Sequence, residues 1–297
     1  MNYSVGVDLG GTNIKIVAVS SAGELLEYVT CDTADADGSW ANTIKENLHR
    51  IQQDRNAMPC HVGIAAPGLA ASDGRSIVHM KGRLNGLEGF VWTNFLEMPA
   101  RVSVLNDAHA ALLGELWQGS AKGYRNVILL TLGTGVGGAV LADGRLLKGQ
   151  IGRAGHLGHV TVNADGAPDI VNTPGSLEQM IGNYNLRERS KGRFDSTRKL
   201  VEAHVAGDKD ASDIWLRSVF HLGAAIASFI NAFDPEIVIV GGGIAQAGAA
   251  LFDPLANYLD KFEWRPMGHR VPVISAELGE KAGAIGAAYH AILQAEQ

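Results

Sequence analysis

Asn106 and Asp107 lie at a predicted junction between a buried strand and a helix. The strand is the apolar run Val102–Leu105, and the helix is predicted over Ala108–Trp117. The dipole of a helix keeps a carboxylate at its N-terminus ionised, so Asp107 could accept a proton from a hydroxyl group. Taken alone, the pair also suits an ordinary helix N-cap with no chemical role.

Two further acidic residues, Asp8 and Glu178, occupy comparable positions. Asp8 lies near the end of a strand predicted over residues 3–9, where it could orient Mg²⁺ or its bound water. Glu178 follows Ser176 in a Ser-x-x-Gln capping box that ends at Gln179, which places it in the first turn of a helix. Glu178 could bind a ligand, or it could simply complement the helix terminus.

Two glycine-rich loops follow apolar strands and are the second chemical feature. The first loop contains Gly10, Gly11, Thr12 and Asn13 and is followed by a predicted strand over residues 14–19. The second loop begins with Gly133, Thr134 and Gly135, after a predicted strand over Val127–Leu132 and before a second strand that includes residues 139–141. Neither loop carries the Gly-Lys-Ser/Thr of a P-loop, and β-branched residues follow the first loop where a Rossmann turn would begin a helix. The backbone N–H groups of such loops can hold a polyphosphate. The repeated strand, loop and strand also predicts a duplicated α/β fold with facing domains.

Together, these residues match what phosphoryl transfer to an alcohol needs. The nucleotide must be held, Mg²⁺ must offset its charge, and the acceptor oxygen must lie in line with a nearby base. The sequence has no Gly-x-Ser-x-Gly, no His-Glu-x-x-His and no paired Cys-x-x-Cys. Nucleophilic hydrolysis and a protein-bound transition metal are therefore disfavoured.

The remaining segments predict the elements that position these loops. In the first half of the chain they are an amphipathic helix at about Ser39–Arg55, a strand over Val62–Ala66 ending in Pro67-Gly68, and a loop-rich excursion over residues 70–95 that contains Asn85. In the second half they are a long apolar helix ending before Asp234-Pro235, a strand over Ile237–Val240 followed by Gly241–Gly243, a strand over Val271–Ser275 and a C-terminal Ala-rich helix. Ligands in open α/β sheets bind outside the carboxyl ends of the strands. The glycines that follow these strands are therefore candidate binding residues.

Composition restricts the partners and the compartment. Glycine accounts for 37 of 297 residues, above the ~7% usual in proteins, and the glycines cluster in short loops. The net charge of −6 and the lack of a basic stripe argue against nucleic acid as a partner. No signal peptide or membrane-spanning apolar run is expected, and the two cysteines form no metal or disulfide pattern. These features predict a cytoplasmic protein.

The order of motifs resembles the ROK family of sugar kinases, within the actin-like, hexokinase-like ATPase fold. DLGGTNIK at 8–15 and LGTGVGG at 132–138 resemble its two phosphate loops, and LNDAHAALLGE at 105–115 resembles its catalytic-Asp segment. GRAGHLGH at 152–159 falls where its signature ends, and FDPEIVIVGGGI at 233–244 is similar to its adenosine-side motif. The match spans nearly the whole chain in the family's order.

The resemblance implies roles for individual residues. Asp107 would deprotonate the attacking sugar hydroxyl, with ATP as donor and Mg²⁺ near Asp8. The other candidate sugar-binding residues are Asn106, His156, His159, Glu178, Gly68 and Asn85. The candidate nucleotide-binding residues are Asp8, Gly10, Gly11, Thr12, Asn13, Lys15, Gly133, Thr134, Gly135, Gly242 and Gly243.

Two departures from the family pattern affect the sugar side. The family usually has Ala-Gly-Glu-x-Gly-His, whose Glu binds ring hydroxyls, and His156 stands in place of that Glu. An imidazole can donate a hydrogen bond where a carboxylate only accepts one, so the family pattern does not by itself predict glucose as the substrate. Many members also hold zinc with the final His and a Cys-x-Cys-Gly-x-x-Gly-Cys-Leu-Glu run. In this chain the run 169–178 has no cysteine, so no zinc site is expected.

The sequence therefore predicts two facing α/β domains of the actin-like (ribonuclease H-like) type with an active-site cleft between them. The smaller domain would comprise residues 1–110 and about 284–297, and the larger would comprise residues 111–283. The predicted activity is ATP-dependent phosphorylation of a hexose or hexose derivative, by an enzyme that the resemblance suggests is a homodimer. Two alternatives remain, a sugar-sensing regulator that would need a separate DNA-binding module, and a sugar-binding protein without kinase activity.

Overall fold

The computed structural model describes residues 2–33, 38–80, 82 and 84–296. In chain order its strands are β1 (Tyr3–Leu9), β2 (Asn13–Ser20), β3 (Leu25–Asp32), β4 (His61–Ala66), β5 (Leu69–Ala70), β6 (Ile77–His79), β7 (Ser103–Asn106), β8 (Val127–Leu132), β9 (Val136–Ala142), β10 (Arg145–Leu146), β11 (Ile237–Gly241) and β12 (Val273–Ser275). Its α-helices are α1 (Trp40–Arg55), α2 (Trp92–Phe95), α3 (Asp107–Gln118), α4 (Leu177–Ile181), α5 (Leu186–Arg189), α6 (Thr197–Val205), α7 (Lys209–Phe233), α8 (Ala249–Phe262) and α9 (Ala282–Ala295). Short 3₁₀ helices include Leu157–His159, Asn183–Asn185 and Gly243–Ala247.

The chain forms two compact units. The first comprises Met1–Gly123, Lys148–Ala154 and Leu278–Gln297, and the second comprises Tyr124–Leu147 and Gly155–Glu277. The first unit is larger than the predicted domain of residues 1–110 and 284–297. Helix α3 and the segment Lys148–Ala154 belong to it, contrary to the predicted boundaries.

Close packing of α3 against α9 explains why α3 stays in the first unit. A Cβ at Gly286 would lie 1.7 Å from the Ala110 carbonyl oxygen, and one at Gly114 would lie 2.3 Å from the Ala282 carbonyl oxygen. Helix α9 also packs against the sheet, where a Cβ at Gly63 would lie 1.9 Å from the Ala287 carbonyl oxygen. The glycines let these backbones approach each other, so the Ala-rich α9 is a central element of this unit.

The two units contain sheets of the same design. The first sheet has the order β3-β2-β1-β4-β7, and the second has the order β10-β9-β8-β11-β12. Each sheet contains an antiparallel hairpin, β1–β2 in the first and β8–β9 in the second. A later strand pairs in parallel with the first strand of the hairpin, β4 with β1 and β11 with β8. A further strand then pairs in parallel with that one, β7 with β4 and β12 with β11. This repeated topology is the duplication predicted from the two glycine-rich loops.

The cores follow from the apolar faces of the sheets and helices. Val5, Val7, Ile14 and Ile64 are buried in the first unit, together with the aromatic side chain of Trp92 from the excursion between β4 and β7. The excursion also contains the short strands β5 and β6, which pair with each other. It is thus a packed part of the first unit as well as a connecting loop.

Helix α7 forms the centre of the second core. Asp208 caps its N-terminus, where the carboxylate accepts from the Ala211 N–H at 2.9 Å, and Asp234 ends it in a left-handed conformation before Pro235. Among the described helices, only α7 is long and apolar enough to cross a membrane, by length and composition alone. Trp215 and Leu222 of α7 are fully buried within this unit, which is typical of a core helix in a globular protein.

Candidate functional site

Asn106 is the N-cap of α3, and Asp107 is the first residue of the helix. The Asn106 Oδ1 atom accepts from the N–H groups of Ala108 at 3.0 Å and His109 at 3.2 Å. Its Nδ2 atom donates to the Gly68 carbonyl oxygen at 3.0 Å, so the two predicted sugar-side residues are in direct contact. Because Asn106 performs the capping, Asp107 is not required as a cap. Its Oδ1 atom accepts from the Ala108 N–H at 2.8 Å, which orients the carboxylate at the positive end of the helix.

Asp8 lies at the same edge of the first sheet as Asp107. Strands β1, β4 and β7 are parallel, and Asp8 pairs with Ala65, which in turn pairs with Leu105. The carboxyl ends of these three strands therefore bring together Asp8, Gly68 and Asp107, as the sequence predicted for an open α/β sheet.

The electrostatics of Asp8 reflect this position. Burial raises the pKa of its carboxyl group to about 6, Lys15 at 3.7 Å opposes that rise, and the negative charge of Asp107 adds to it. The pKa of this carboxyl group therefore lies close to neutral pH, where a small change in its surroundings alters the fraction that is charged. A cation bound beside it would favour the ionised form.

The first glycine-rich loop is the tight connection between β1 and β2. The Gly10 N–H donates to the Asn13 carbonyl oxygen at 3.1 Å. Thr33, which is buried, donates its hydroxyl to the Gly10 carbonyl oxygen at 2.6 Å and its N–H to the Thr12 carbonyl oxygen at 2.9 Å. Sequence reasoning missed Thr33, because a single threonine after β3 carries no pattern that links it to this loop.

The second loop, between β8 and β9, is closed in a similar way. The Gly133 N–H donates to the Gly135 carbonyl oxygen at 2.9 Å. Gly242, at the end of β11, has φ = 86°, and a Cβ there would lie 2.3 Å from the Leu132 carbonyl oxygen. Only glycine fits this conformation and this contact, so β11 passes close to the base of the loop.

A cavity of about 840 Å³ lies beside this loop within the second unit. Its lining residues are Gly133, Thr134, Asn183, Ser196, Thr197, Arg198, Val201, Glu202, Val205, Gly243, Ile244, Gln246 and Ala247. A Cβ at Gly133 or Gly243 would meet no atom within 4 Å, so both glycines face open space. The structure thus brings together three predicted nucleotide-side residues, Gly133, Thr134 and Gly243, in a cavity of the size that small-molecule sites have.

Other lining residues of the cavity come from α6 and from the turn before α5, which sequence reasoning missed. The Asn183 and Tyr184 N–H groups donate to the carbonyl oxygens of Gly133 at 3.0 Å and Thr134 at 2.9 Å. Val201 and Glu202 of α6 also line the cavity. These contacts join segments about 50 residues or more apart, and the exposed, polar sequence of α6 gave no signal of a binding role.

Gly135 makes room for Glu178 and does not line this cavity, although it was predicted to contact the nucleotide. A Cβ at Gly135 would lie 2.3 Å from the Glu178 Oε2 atom. That oxygen accepts from the Val136 N–H at 2.8 Å. The second glycine-rich loop thus has two sides, one facing the cavity and one holding a buried carboxylate.

Glu178 offers an unsatisfied acceptor. Its Oε1 atom is buried and has no hydrogen-bond partner among the described residues, and the residue as a whole is 5% exposed. Burial raises the pKa of this carboxyl group, while the Val136 N–H and His159 oppose the rise. A buried acceptor without a partner is costly, so a hydroxyl donor from a ligand would stabilise this atom.

His159 lies close to Glu178 and is hydrogen-bonded to Asp169. The distance from His159 Nδ1 to Asp169 Oδ2 is 2.8 Å, and ligand atoms of His159, Asp169 and Glu178 all lie within 4.8 Å of one another. His156 precedes the 3₁₀ helix Leu157–His159 and is partly buried. The structure therefore brings His159 and Glu178 together, with Asp169 as a third member that was not among the predicted site residues.

Asn85 lies in an exposed turn of the first unit. Its contribution to sugar binding remains a prediction, as do those of Gly11 and Lys15 to nucleotide binding.

A model of the ROK family matches residues 4–294 of the chain. The chain belongs to the ROK family. A glucokinase from Thermotoga maritima is 34% identical over 96% of this chain and 95% of that protein. Among solved structures, a ROK hexokinase from Thermus thermophilus has a TM-score of 0.84 at 30% identity, covering 99% of both chains. A ROK glucokinase from Streptomyces griseus, in complex with glucose and AMPPNP, has a TM-score of 0.82 at 28% identity over 98% of this chain and 100% of that one.

These similarities confirm the predicted family and the actin-like α/β fold. The full-length coverage by ROK enzymes favours a kinase, and the regulator interpretation is not favoured.

Proposed function

We propose that this ROK protein phosphorylates a hexose or hexose derivative with ATP, and that Asp107 is the general base. The observation that carries the proposal is the junction of β7 and α3. Asn106 performs the capping, which leaves Asp107 as an oriented carboxylate at the same edge of the sheet as Asp8, whose pKa its charge raises. A carboxylate so placed can take the proton of a sugar hydroxyl as that hydroxyl attacks a phosphoryl group.

The glycine-rich segments of the second unit fit a nucleotide. Gly133 and Gly243 face open space in the cavity beside Thr134, and side chains there would fill it. We assign the adenosine to the wall formed by Ile244, Ala247 and α6, and the phosphates to the backbone of the loop that begins at Gly133. The backbone N–H groups of residues 10–13 would hold phosphate oxygens in the first unit.

Asp8 suits Mg²⁺, which prefers oxygen ligands and keeps several water molecules. When bound, the ion would offset the negative charge of the phosphates. Lys15 at 3.7 Å keeps part of the Asp8 charge balanced in the absence of a cation. The role of Asp8 is thus to bind or orient the hydrated cation.

Asp8 gives a test through the pH dependence of stability. Its folded-state pKa of about 6 lies above the ordinary value of 3.8, so this group favours folding below about pH 4 and loses that contribution as pH rises through about 6. Asp8→Asn has no such loss. We expect the variant to gain stability relative to the wild type between pH 4 and pH 7, by on the order of 2–3 kcal/mol, while its turnover with MgATP falls. Urea unfolding of both proteins at several pH values measures the difference.

The matched control is Asp54→Asn, which removes an equal charge from an exposed side chain in the same unit. Its stability difference from the wild type should change little over this range. An Asp8→Asn stability difference that is constant with pH would contradict the assignment of a raised pKa to Asp8.

The proposed sugar-binding residues are Asn106, Gly68 and Asn85 in the first unit and His156, His159 and Glu178 in the second. Glu178 contributes an unpartnered acceptor for a sugar hydroxyl. His156 stands where the family carries a glutamate. The group at this position can therefore donate a hydrogen bond to the sugar as well as accept one. We therefore propose a substrate whose pattern of hydroxyl or amide groups matches an imidazole at that position.

A coupled ADP-release assay against a panel of hexoses, amino sugars, N-acetylated sugars and polyols tests the function. We expect ATP-dependent phosphorylation of at least one hexose or hexose derivative, with Mg²⁺ required. Sugar binding by calorimetry without phosphorylation of any panel member would contradict the kinase proposal and favour a sugar-binding protein. The composition predicts a cytoplasmic protein. The family resemblance suggests a homodimer, and light scattering after size-exclusion chromatography would measure its mass.

A further inference from the structure

We propose that Asp169 is a positioning residue that fixes the ring of His159 for sugar binding, in a loop that is held without zinc. The inference rests on the proposed role of His159 in sugar binding. His159 Nδ1 and Asp169 Oδ2 form a partly buried hydrogen bond at 2.8 Å.

The Asp169 side chain is fully buried, and both of its oxygen atoms take part in hydrogen bonds. The side chain is 0% exposed, and its Oδ1 atom accepts from the N–H groups of Val171 and Thr173, both at 2.9 Å. Burial alone would raise the pKa of this carboxyl group. Hydrogen bonds from His159, from Ser176 and from the two N–H groups outweigh burial and lower the pKa, so Asp169 is a fixed negative charge.

This arrangement determines which nitrogen of His159 carries the proton. An ionised carboxylate only accepts hydrogen bonds, so Nδ1 must donate to Asp169. In the neutral ring, Nε2 then has a lone pair, and it can accept a hydrogen bond from a sugar hydroxyl. The His159 side chain is 27% exposed, so part of the ring remains accessible while Nδ1 is held. Asp169 thus sets both the tautomer and the rotation of the ring.

The residues of this loop do not fit the zinc that the family pattern implies. Asp169, Val171 and Ser176 stand at the three cysteine positions, and the side chain of Val171 has no ligand atom. A structural zinc site needs four ligands, usually with thiolates. The Asp169 oxygens are already bonded to N–H groups and to His159, and Glu178 Oε2 is bonded to the Val136 N–H. The carboxylate therefore takes the place of the metal as the group that anchors His159 and closes the loop.

The test combines nitrogen NMR with kinetics on full-length enzyme. Protein labelled with ¹⁵N-histidine is compared for the wild type, Asp169→Asn and the control Asp165→Asn, with His159→Gln used to assign the His159 signals. Asp165 lies on the same loop, is exposed, and loses the same charge on substitution. We expect the Nδ1–H tautomer of His159 in the wild type and in Asp165→Asn, and a mixture of tautomers in Asp169→Asn, since an amide can face the ring with either its oxygen or its NH₂.

The kinetic readout separates positioning from general structural damage. We expect Asp169→Asn to raise the KM for the sugar about 10- to 100-fold, with the KM for ATP unchanged, because the substitution acts only on the sugar side. Elemental analysis of the purified wild type should find far less than one zinc per chain.

Three results would overturn the proposal. These are an Nε2–H tautomer in the wild type, stoichiometric zinc that is lost in Asp169→Asn, or an unchanged sugar KM in a variant whose tautomer has become mixed. The tautomer measurement needs no turnover. If the wild type phosphorylates no sugar, the proposed function fails, and the NMR result still decides the pairing of Asp169 with His159.

Discussion

Replacing Asp107 by Asn is expected to lower kcat about 10²- to 10⁴-fold, the range attributed to a positioned general base. An amide cannot take the proton of the attacking hydroxyl, so that oxygen would attack as a neutral alcohol. The fold should be preserved, because Asn106 supplies the cap of α3 and an amide oxygen at position 107 can still accept from the Ala108 N–H. Sugar affinity, measured by calorimetry without ATP, should change little.

The control for this substitution is again Asp54→Asn, an exposed residue of the same unit, whose turnover should equal that of the wild type. Circular dichroism and thermal unfolding establish that both variants are folded. If Asp107→Asn kept full turnover on the preferred sugar, Asp107 would be removed from the mechanism. A large loss of sugar affinity with unchanged kcat would instead make it a binding residue.

The sequence was informative where short patterns carry the structure. Apolar runs that end in glycine or asparagine predicted the carboxyl edges of both sheets, and Asn106-Asp107 lies at such an edge because β7 pairs in parallel with β4. The duplication was also visible, since strand, loop and strand recur with similar lengths. These features depend on residues close together in the chain, where local propensity and packing agree.

The features that could not be predicted depend on contacts between distant segments. Thr33 supports the first loop from the end of β3, and α6 forms one wall of the cavity. Neither has a local pattern that indicates its role. The domain boundary was misplaced for the same reason, because the small residues that attach α3 to α9 lie about 170 residues apart.

Gly135 illustrates how a correct motif can have an incomplete interpretation. Its place in a glycine-rich loop predicted contact with phosphate, but the structure shows that the missing side chain accommodates the Glu178 carboxylate. The loop between β8 and β9 thereby connects two predicted functions. One side borders the cavity at Gly133, and the other positions an acceptor through the Val136 N–H.

Glu178→Gln is expected to weaken sugar binding about 10- to 150-fold, with a smaller effect on the KM for ATP. The Gln oxygen can replace Oε2 as acceptor for the Val136 N–H, and the NH₂ group would then occupy the position of the unpartnered Oε1. A sugar hydroxyl that donates to Oε1 would meet a donor instead. The loss of a charge-assisted hydrogen bond costs about 1.5–3 kcal/mol, which corresponds to that range of affinity.

The same variant should be more stable than the wild type in the absence of sugar at neutral pH. Burial raises the pKa of Glu178, so the charged carboxylate opposes folding once pH exceeds that pKa, and an amide carries no such charge. Thermal unfolding with and without the preferred sugar measures both effects, with Glu97→Gln, an exposed carboxylate, as the control. A higher melting temperature together with a smaller sugar-induced increase would show that Glu178 trades stability for binding. A sugar-induced increase equal to that of the wild type would mean that the buried oxygen is not a sugar acceptor, and would leave His156 and His159 as the proposed sugar-binding residues of the second unit.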